Sequence, residues 1–408
     1  MPSNRLAEYT VWVALADGTP EPVADYRLET DHRGRHRASA LRYRSSWLEH
    51  PRRYALNPVH APLTPEPMEW TTNDIPAVLD EVLPGRWERA VQRRFRGERH
   101  DVDDLHAVLS VEREMWRVGA LEILPAGTEP PPLTSPLTFA DIDELAEEVE
   151  RTDRHPSSTV QALLRIQAGS SVGGARPKVL VREAADGTDW LVKLPRQGDP
   201  FDHVRLEAAC LTLAEAAGIP VPAHALVEAG RATGLAVCRF DVASAGGRLG
   251  LVSANALLKD PQTQADPLHR GYDDLATLVR RHSVRPRADL IQLYAQMLFN
   301  QAINNRDDHL RNFSFLHLEG DAAGWVLSPA YDLVPDEALG VYSQLGLGHS
   351  ALLPRPGTDE AMAAAELFQL TPVEARTVND RLLAALEERK AIADSLGLSE
   401  RERHLFLR

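Results

Sequence analysis

The stretch NNRDDHLRNFSF, residues 304–315, sets two adjacent carboxylates, a histidine, two arginines and three asparagines among apolar neighbours. Asp307 and Asn312 stand in the spacing D-x-x-x-x-N. In phosphoryl transfer that spacing lets a carboxylate take the proton of an attacking hydroxyl while an amide oxygen binds Mg2+. Asp308 misses it by one residue. Twenty residues beyond Asn312, after GWVLSPA, comes Tyr331-Asp332-Leu333, and Asp332 would serve as a second oxygen ligand. Mg2+ takes only one or two protein ligands when phosphates and waters fill the rest, so Asn312 and Asp332 suffice. A zinc site through His309 is the poorer reading, because no second His or Cys lies at ligand spacing. The plain alternative for Asp-Asp-His is a polar cap at the C-terminus of the preceding helix.

Upstream, AGSSVGGARPKVLV (168–181) is a glycine-bearing turn that runs into a strand. Glycines let backbone N–H groups come close to phosphates. The stretch is neither GxGxxG nor a Walker loop, and a simple hairpin turn fits it as well. DWLVKLP (189–195) puts Lys193 in an apolar strand, where an ammonium needs an anionic partner unless the strand lies at an edge. Fourteen residues on, Glu207 lies near the start of a helical pattern, RLEAACLTLAEAAGI. A strand Lys with a Glu on the next helix is the pair that holds the phosphates of ATP in protein kinases. LAVCRFD (235–241) reads as a strand ending in a polar turn, where a kinase has its hinge. Each motif alone has a bland reading, but all occur in kinase order.

The elements that must position these groups follow from periodicity. ADLIQLYAQMLFNQAI, from Ala288, predicts a buried helix leading into the polar stretch, with a strand after it. Residues 165–245 read as strand-rich, 272–315 as helical with two short strands beyond, and the tail from Asp359 as largely helical. Near the start, YTVWVAL alternates up to Asp17-Gly18, a hairpin signal. ALRYRSSWL (40–48) reads as a strand, 75–95 as a helix, and VEREMWRVGALEILP (111–125) as a strand. Five prolines between 125 and 136 mark a linker that ends in an acidic helix. The expected division is 1–125, 126–160, 161–250 and 251–408.

At 408 residues the chain exceeds one comfortable core, so two or three domains are expected. A formal charge of −14 argues against general binding to nucleic acid or anionic membranes. The basic runs 86–100 and 279–287 read as solvated helix faces, or as local contacts to phosphates of DNA or tRNA. Two cysteines, Cys210 and Cys238, make no disulfide framework and point to a reducing cytoplasm. MPSNRLAEYT lacks a signal-peptide pattern, and no apolar run is long enough to span a membrane.

Together SSVGGARPK, WLVKLP, the helix with Glu207, CRFD, NNRDDHLRNFSF and SPAYDL resemble the HipA family, serine/threonine kinase toxins of bacterial toxin–antitoxin modules. RVGALEILP, RYRSSWL and LPGRW resemble that family's N-terminal subdomain. The resemblance implies an α/β (α+β), two-lobed protein-kinase-like fold with an added N-terminal α+β subdomain. It implies ATP and Mg2+, with Asp307 as catalytic base and Asn312 and Asp332 as metal ligands. His309 would border the γ-phosphate, and Lys193 would contact ATP phosphates with Glu207 as its partner. Cys238 and Phe240 would offer hinge backbone groups, and Tyr331 would flank the nucleotide. Residues 171–178, including Ser171, Val172, Gly173, Gly174, Ala175 and Lys178, would form the phosphate loop. Ser171, or its neighbour Ser170, would be autophosphorylated, and the added charge would repel ATP phosphates. The implied substrate is a protein, among the family's targets aminoacyl-tRNA synthetases such as glutamyl-tRNA synthetase. The implied partner is a helix-turn-helix, HipB-like antitoxin, with DNA reached only through it. Arg311 stands where the family commonly has Lys, and Arg176-Pro177 is a local variation. A small-molecule kinase and a non-catalytic, antitoxin- or DNA-associated regulator are the alternatives.

Overall fold

The computed structural model describes residues 4–83, 103–109, 118–131, 137–144, 146–147, 178–195, 199–320, 323–337 and 343–408. The N-terminal sheet contains β1 (Arg5–Ala14), β2 (Pro20–Thr30), β3 (His36–Tyr43), β4 (Met68–Trp70) and β5 (Leu121–Pro125), in the antiparallel order β4-β3-β2-β1-β5. Alternation along β1 buries Tyr9, Val11 and Val13 on one face. Gly18 turns the β1–β2 hairpin with φ +84°, a conformation that favours glycine, as the Asp17-Gly18 signal predicts. The expected strand 40–48 is shorter than predicted. It ends at Tyr43, and a helical turn, Ser45–Glu49, follows. The reason is Trp47, which is fully buried and donates its indole N–H to the Tyr54 carbonyl at 3.2 Å, a contact that needs the chain to turn inward. Of the helix expected over 75–95, the described part contains only Ala77–Asp80, and residues 84–100 lie outside the described residues. The strand expected over 111–125 is described only as β5, since 111–117 also lie outside.

A second sheet is built from β6 (Lys178–Arg182), β7 (Asp189–Lys193), β8 (His224–Ala229) and β9 (Ala232–Cys238), ordered β6-β7-β9-β8. Because β7 pairs with both β6 and β9, Lys193 sits on an interior strand, and the edge reading fails. Between β7 and β8 runs α1 (His203–Ala216). Asp202 caps it by accepting the Arg205 N–H at 3.0 Å, and its buried side includes Glu207, Cys210 and Leu213.

The rest is mainly helical around a small sheet. β10 (Gly250–Ser253), β11 (Ser314–Leu318) and β12 (Gly324–Leu327) lie in that order, with α2 (Tyr272–His282) and α3 (Pro286–Ala302) between the first two in sequence. Pro286 opens α3, where its missing N–H costs nothing, and the helix is buried on most sides. α4 (Pro372–Glu387) starts with a Thr371/Glu374 capping box. One continuous apolar cluster joins Tyr9, Trp47 and Leu79 of the N-terminal region to Leu293, Phe299 and Phe406 of the helical region. The fold class is mixed α/β, two-lobed and kinase-like, with an added N-terminal α+β part, as expected. Among the described residues no helix is long and apolar enough to cross a membrane.

Candidate active site

The polar stretch that follows α3 lies beyond the helix. The helix stops at Ala302, Asn304 takes a left-handed φ of +57°, and residues 305–309 form a loop before a short 3-10 turn at Leu310–Asn312. The helix-cap reading of Asp-Asp-His therefore fails. The loop is held from inside. Asn305 donates to Asn300 Oδ1 at 3.1 Å and accepts the Asp307 N–H at 3.2 Å. Asn312 donates its side-chain N–H to the Asp307 carbonyl at 3.1 Å, which leaves the amide oxygen as its donor atom for a cation.

Asp307 and Asp308 face different surroundings. Asp308 is buried, accepts the Tyr272 hydroxyl hydrogen bond at 2.8 Å, and is pushed up to about 7 by burial. Tyr272 in turn accepts from Asn300 at 2.9 Å. Asp307 lines the cleft. Burial raises its pKa, His309 opposes the rise, and the carboxylates of Asp332 and Asp336 add to it. Gln344 donates a side-chain N–H to Asp307 Oδ1, and the Arg306 side chain holds Ser343 Oγ at 3.1 Å.

Across the cleft, Lys193 Nζ lies 2.5 Å from Glu207 Oε1 and 3.1 Å from Asp332 Oδ1. Burial works against the ammonium, but Asp332 and Glu207 outweigh it and raise the lysine pKa. Lys193 holds Asp332 down at about 2. Burial raises Glu207, with Lys193 opposing. Asp332 has φ +58°, a strained conformation for a residue with a side chain. Its segment is pinned by the Ala330 N–H to the Pro220 carbonyl at 2.8 Å.

These side chains line one cleft of about 410 Å³, which contains Lys178, Lys193, Glu207, Asp307, Asn312 and Asp332. Lys178 is paired in register with Lys193 across β6 and β7. Four further predicted residues have these surroundings. Tyr331 stacks on Phe240 with ring centroids 5.5 Å apart and donates its hydroxyl to the Arg311 carbonyl at 2.8 Å. The Cys238 N–H is taken by the Ala223 carbonyl at 2.7 Å. His309 acts on Asp307 and Asp332 by charge. Ser170, Ser171, Val172, Gly173, Gly174 and Ala175 lie outside the described residues.

Asn305 and Asp336 also line the cleft, and neither was singled out from the sequence. Asp336 follows Asp332 by four residues, a spacing that carries no motif. Gln344 belongs to no motif and reaches Asp307 only through the fold. In CRFD, Arg239 and Asp241 pair with each other at 2.5 Å, and Asp241 accepts the Gly119 N–H at 2.6 Å. The basic run 279–287 is largely engaged within the molecule. Arg280 donates to the Leu367 carbonyl, Arg285 pairs with Asp289, and Arg287 pairs with Glu374.

A lysine–glutamate pair under a four-stranded sheet, facing a D-x-x-x-x-N loop on a helical lobe, defines a two-lobed kinase-like architecture. The HipA-like C-terminal domain model matches residues 170–390, more than half of the chain, and the protein belongs to that family. Y4mE of Sinorhizobium fredii, which carries a provisional kinase designation, is 30% identical over 244 residues. That match takes in 53% of this chain and 54% of Y4mE, so the chain spans about half the length of this curated relative. A chain from the Shewanella oneidensis MR-1 toxin–antitoxin complex of HipA, HipB and operator DNA superposes with a TM-score of 0.66. It is 18% identical, and the match covers 99% of this chain and 96% of that one, a likeness of fold.

Proposed function

We propose that this protein is a HipA-type serine/threonine-protein kinase that moves the γ-phosphate of ATP to a hydroxyl of a target protein. The observation that carries the reading is one cleft in which Lys193, bonded to Glu207 and Asp332, faces Asp307 and Asn312. The donor set fits Mg2+, since the carboxylate of Asp332 and the amide oxygen of Asn312 are hard oxygens and the nearest cation to Asp332 is an ammonium. Bound there, Mg2+ would neutralise charge on the transferring phosphoryl group. Lys193 donates hydrogen bonds to phosphate oxygens, and Glu207 keeps its ammonium aimed at them. Asp307 accepts the proton of the attacking Ser or Thr hydroxyl, and its raised pKa makes it the better acceptor. Most of the rate comes from positioning these groups before reaction.

By family resemblance the protein is the toxin of a toxin–antitoxin module and works in the cytoplasm. Its partner is a helix-turn-helix antitoxin that carries it to DNA, and the first substrate to offer is an aminoacyl-tRNA synthetase. Ser171 is the site of self-phosphorylation. The division of the chain at 125, 160 and 250 belongs to the same reading.

Intact mass after incubation with Mg2+-ATP tests this, with wild type and Asp307→Ala side by side. One phosphate gained on Ser171 in wild type alone supports the kinase. No gain in wild type, with protein free of phosphate at the start and the synthetase substrate also unmodified, refutes it.

A further inference from the structure

Residues 77–81 of the N-terminal region are built into the helical lobe at the catalytic loop. The amide of Ala77 donates to Gln264 Oε1 at 3.0 Å, and the Gln264 side chain is fully buried. Three residues later the Asp80 carboxylate lies 3.0 Å from Arg311 Nη2 and 3.5 Å from Lys259 Nζ. Next to it Glu81 is bonded to Ser253, accepting the hydroxyl at 2.6 Å and the amide at 3.1 Å. In the sequence Arg311 falls between Asp307 and Asn312. Its carbonyl accepts the Tyr331 hydroxyl at 2.8 Å, and Tyr331 precedes Asp332. Ala254, beside Ser253, donates its amide to the Phe313 carbonyl at 2.8 Å, one residue past Asn312.

We infer that Asp80 is a positioning residue for phosphoryl transfer: through Arg311 the N-terminal region fixes the backbone that carries Asn312 and, by way of Tyr331, Asp332. This rests on the kinase reading above. Lys259 keeps Asp266 at 2.7 Å when Asp80 loses its charge, and Arg311 is half-exposed, so the bond between Asp80 and Arg311 matters for geometry more than for folding. Small displacements of a catalytic group cost far more in rate than in stability.

The test compares wild type, Asp80→Asn, Asp80→Glu, Arg311→Gln and the Asp80→Asn/Arg311→Gln double variant. Three quantities are read: kcat and KM for ATP in phosphotransfer to a protein substrate, the melting temperature, and amide hydrogen exchange over 305–316. For Asp80→Asn the expected result is kcat reduced about tenfold with KM for ATP unchanged. Its melting point stays within a few degrees, and exchange at Asn312 and Phe313 is faster. Asp80→Glu recovers most of the rate, and the double variant is no slower than Arg311→Gln alone. Unchanged exchange over 305–316 in Asp80→Asn overturns the inference whether or not the protein proves to be a kinase. So does an unchanged kcat, or losses that add in the double variant. An inactive wild type whose loop exchange still responds to Asp80→Asn refutes the kinase and leaves the structural coupling standing.

Discussion

Asp307 and Asp308 are neighbours in sequence with opposite surroundings. Asp307 faces the cleft, and replacing it with Ala should cut phosphotransfer by about two to four orders of magnitude, the usual worth of a positioned base. The melting temperature should barely move. Asp308 is buried against Tyr272 with a pKa near 7 in the folded protein, against about 4 for an unfolded aspartate. Its folded pKa is raised, so its contribution to stability is fullest below about pH 4 and is lost as the pH rises toward 7. Asp308→Asn should therefore shrink the fall in melting temperature between pH 5 and pH 8, and an unaltered fall would contradict this. Asp332 has the opposite sign. Lys193 depresses it to about 2, so its contribution is present above about pH 4 and lost as the pH drops toward 2. In Lys193→Met that acid-side loss should diminish while ATP binding weakens, which calorimetric titration with ATP would read directly.

At the scale of elements, the Lys193–Glu207 pair depends on where α1 begins. Asp202 sets the start by capping the Arg205 N–H, and its own amide is bonded to Glu402. Asp202→Ala should cost about 1 kcal/mol in denaturant unfolding. It should also raise KM for ATP, because fraying the first turn loosens Glu207, which lies five residues on. A stability loss with KM unaltered would mean that packing of Cys210 and Leu213, not the cap, holds the helix in place. Lys193, Glu207 and the hairpin at Asp17-Gly18 were legible in the sequence because each rests on local periodicity or turn chemistry. The end of β3 was not, because Trp47 leaves the strand for a partner, Tyr54, that strand propensity takes no account of.

Across the whole molecule, the N-terminal sheet and the kinase-like part share one apolar core and several close backbone contacts. Gly247 sits against the β1–β2 turn, and a Cβ there would stand 1.9 Å from the Leu15 carbonyl oxygen and 2.4 Å from the Gly18 nitrogen. Both are backbone atoms and cannot rotate away. Gly247→Ala should destabilise the protein by about 2 kcal/mol or more, measured by chemical denaturation. A neutral effect would mean that the hairpin docks loosely.

By itself the sequence determined the order of the motifs, the Asp307–Asn312 spacing and the elements β7, α1 and α3. Those features are set by neighbours a few residues away, through alternation, helical period and caps. The tertiary structure alone decided that Lys193 meets Asp332 from 139 residues away and that Arg311 meets Asp80 from 231 residues away. It also decided that Asp308 turns inward onto Tyr272 and that Gln344 reaches Asp307. Such contacts depend on chain closure and on the burial of charge, neither of which leaves a periodic trace in the sequence.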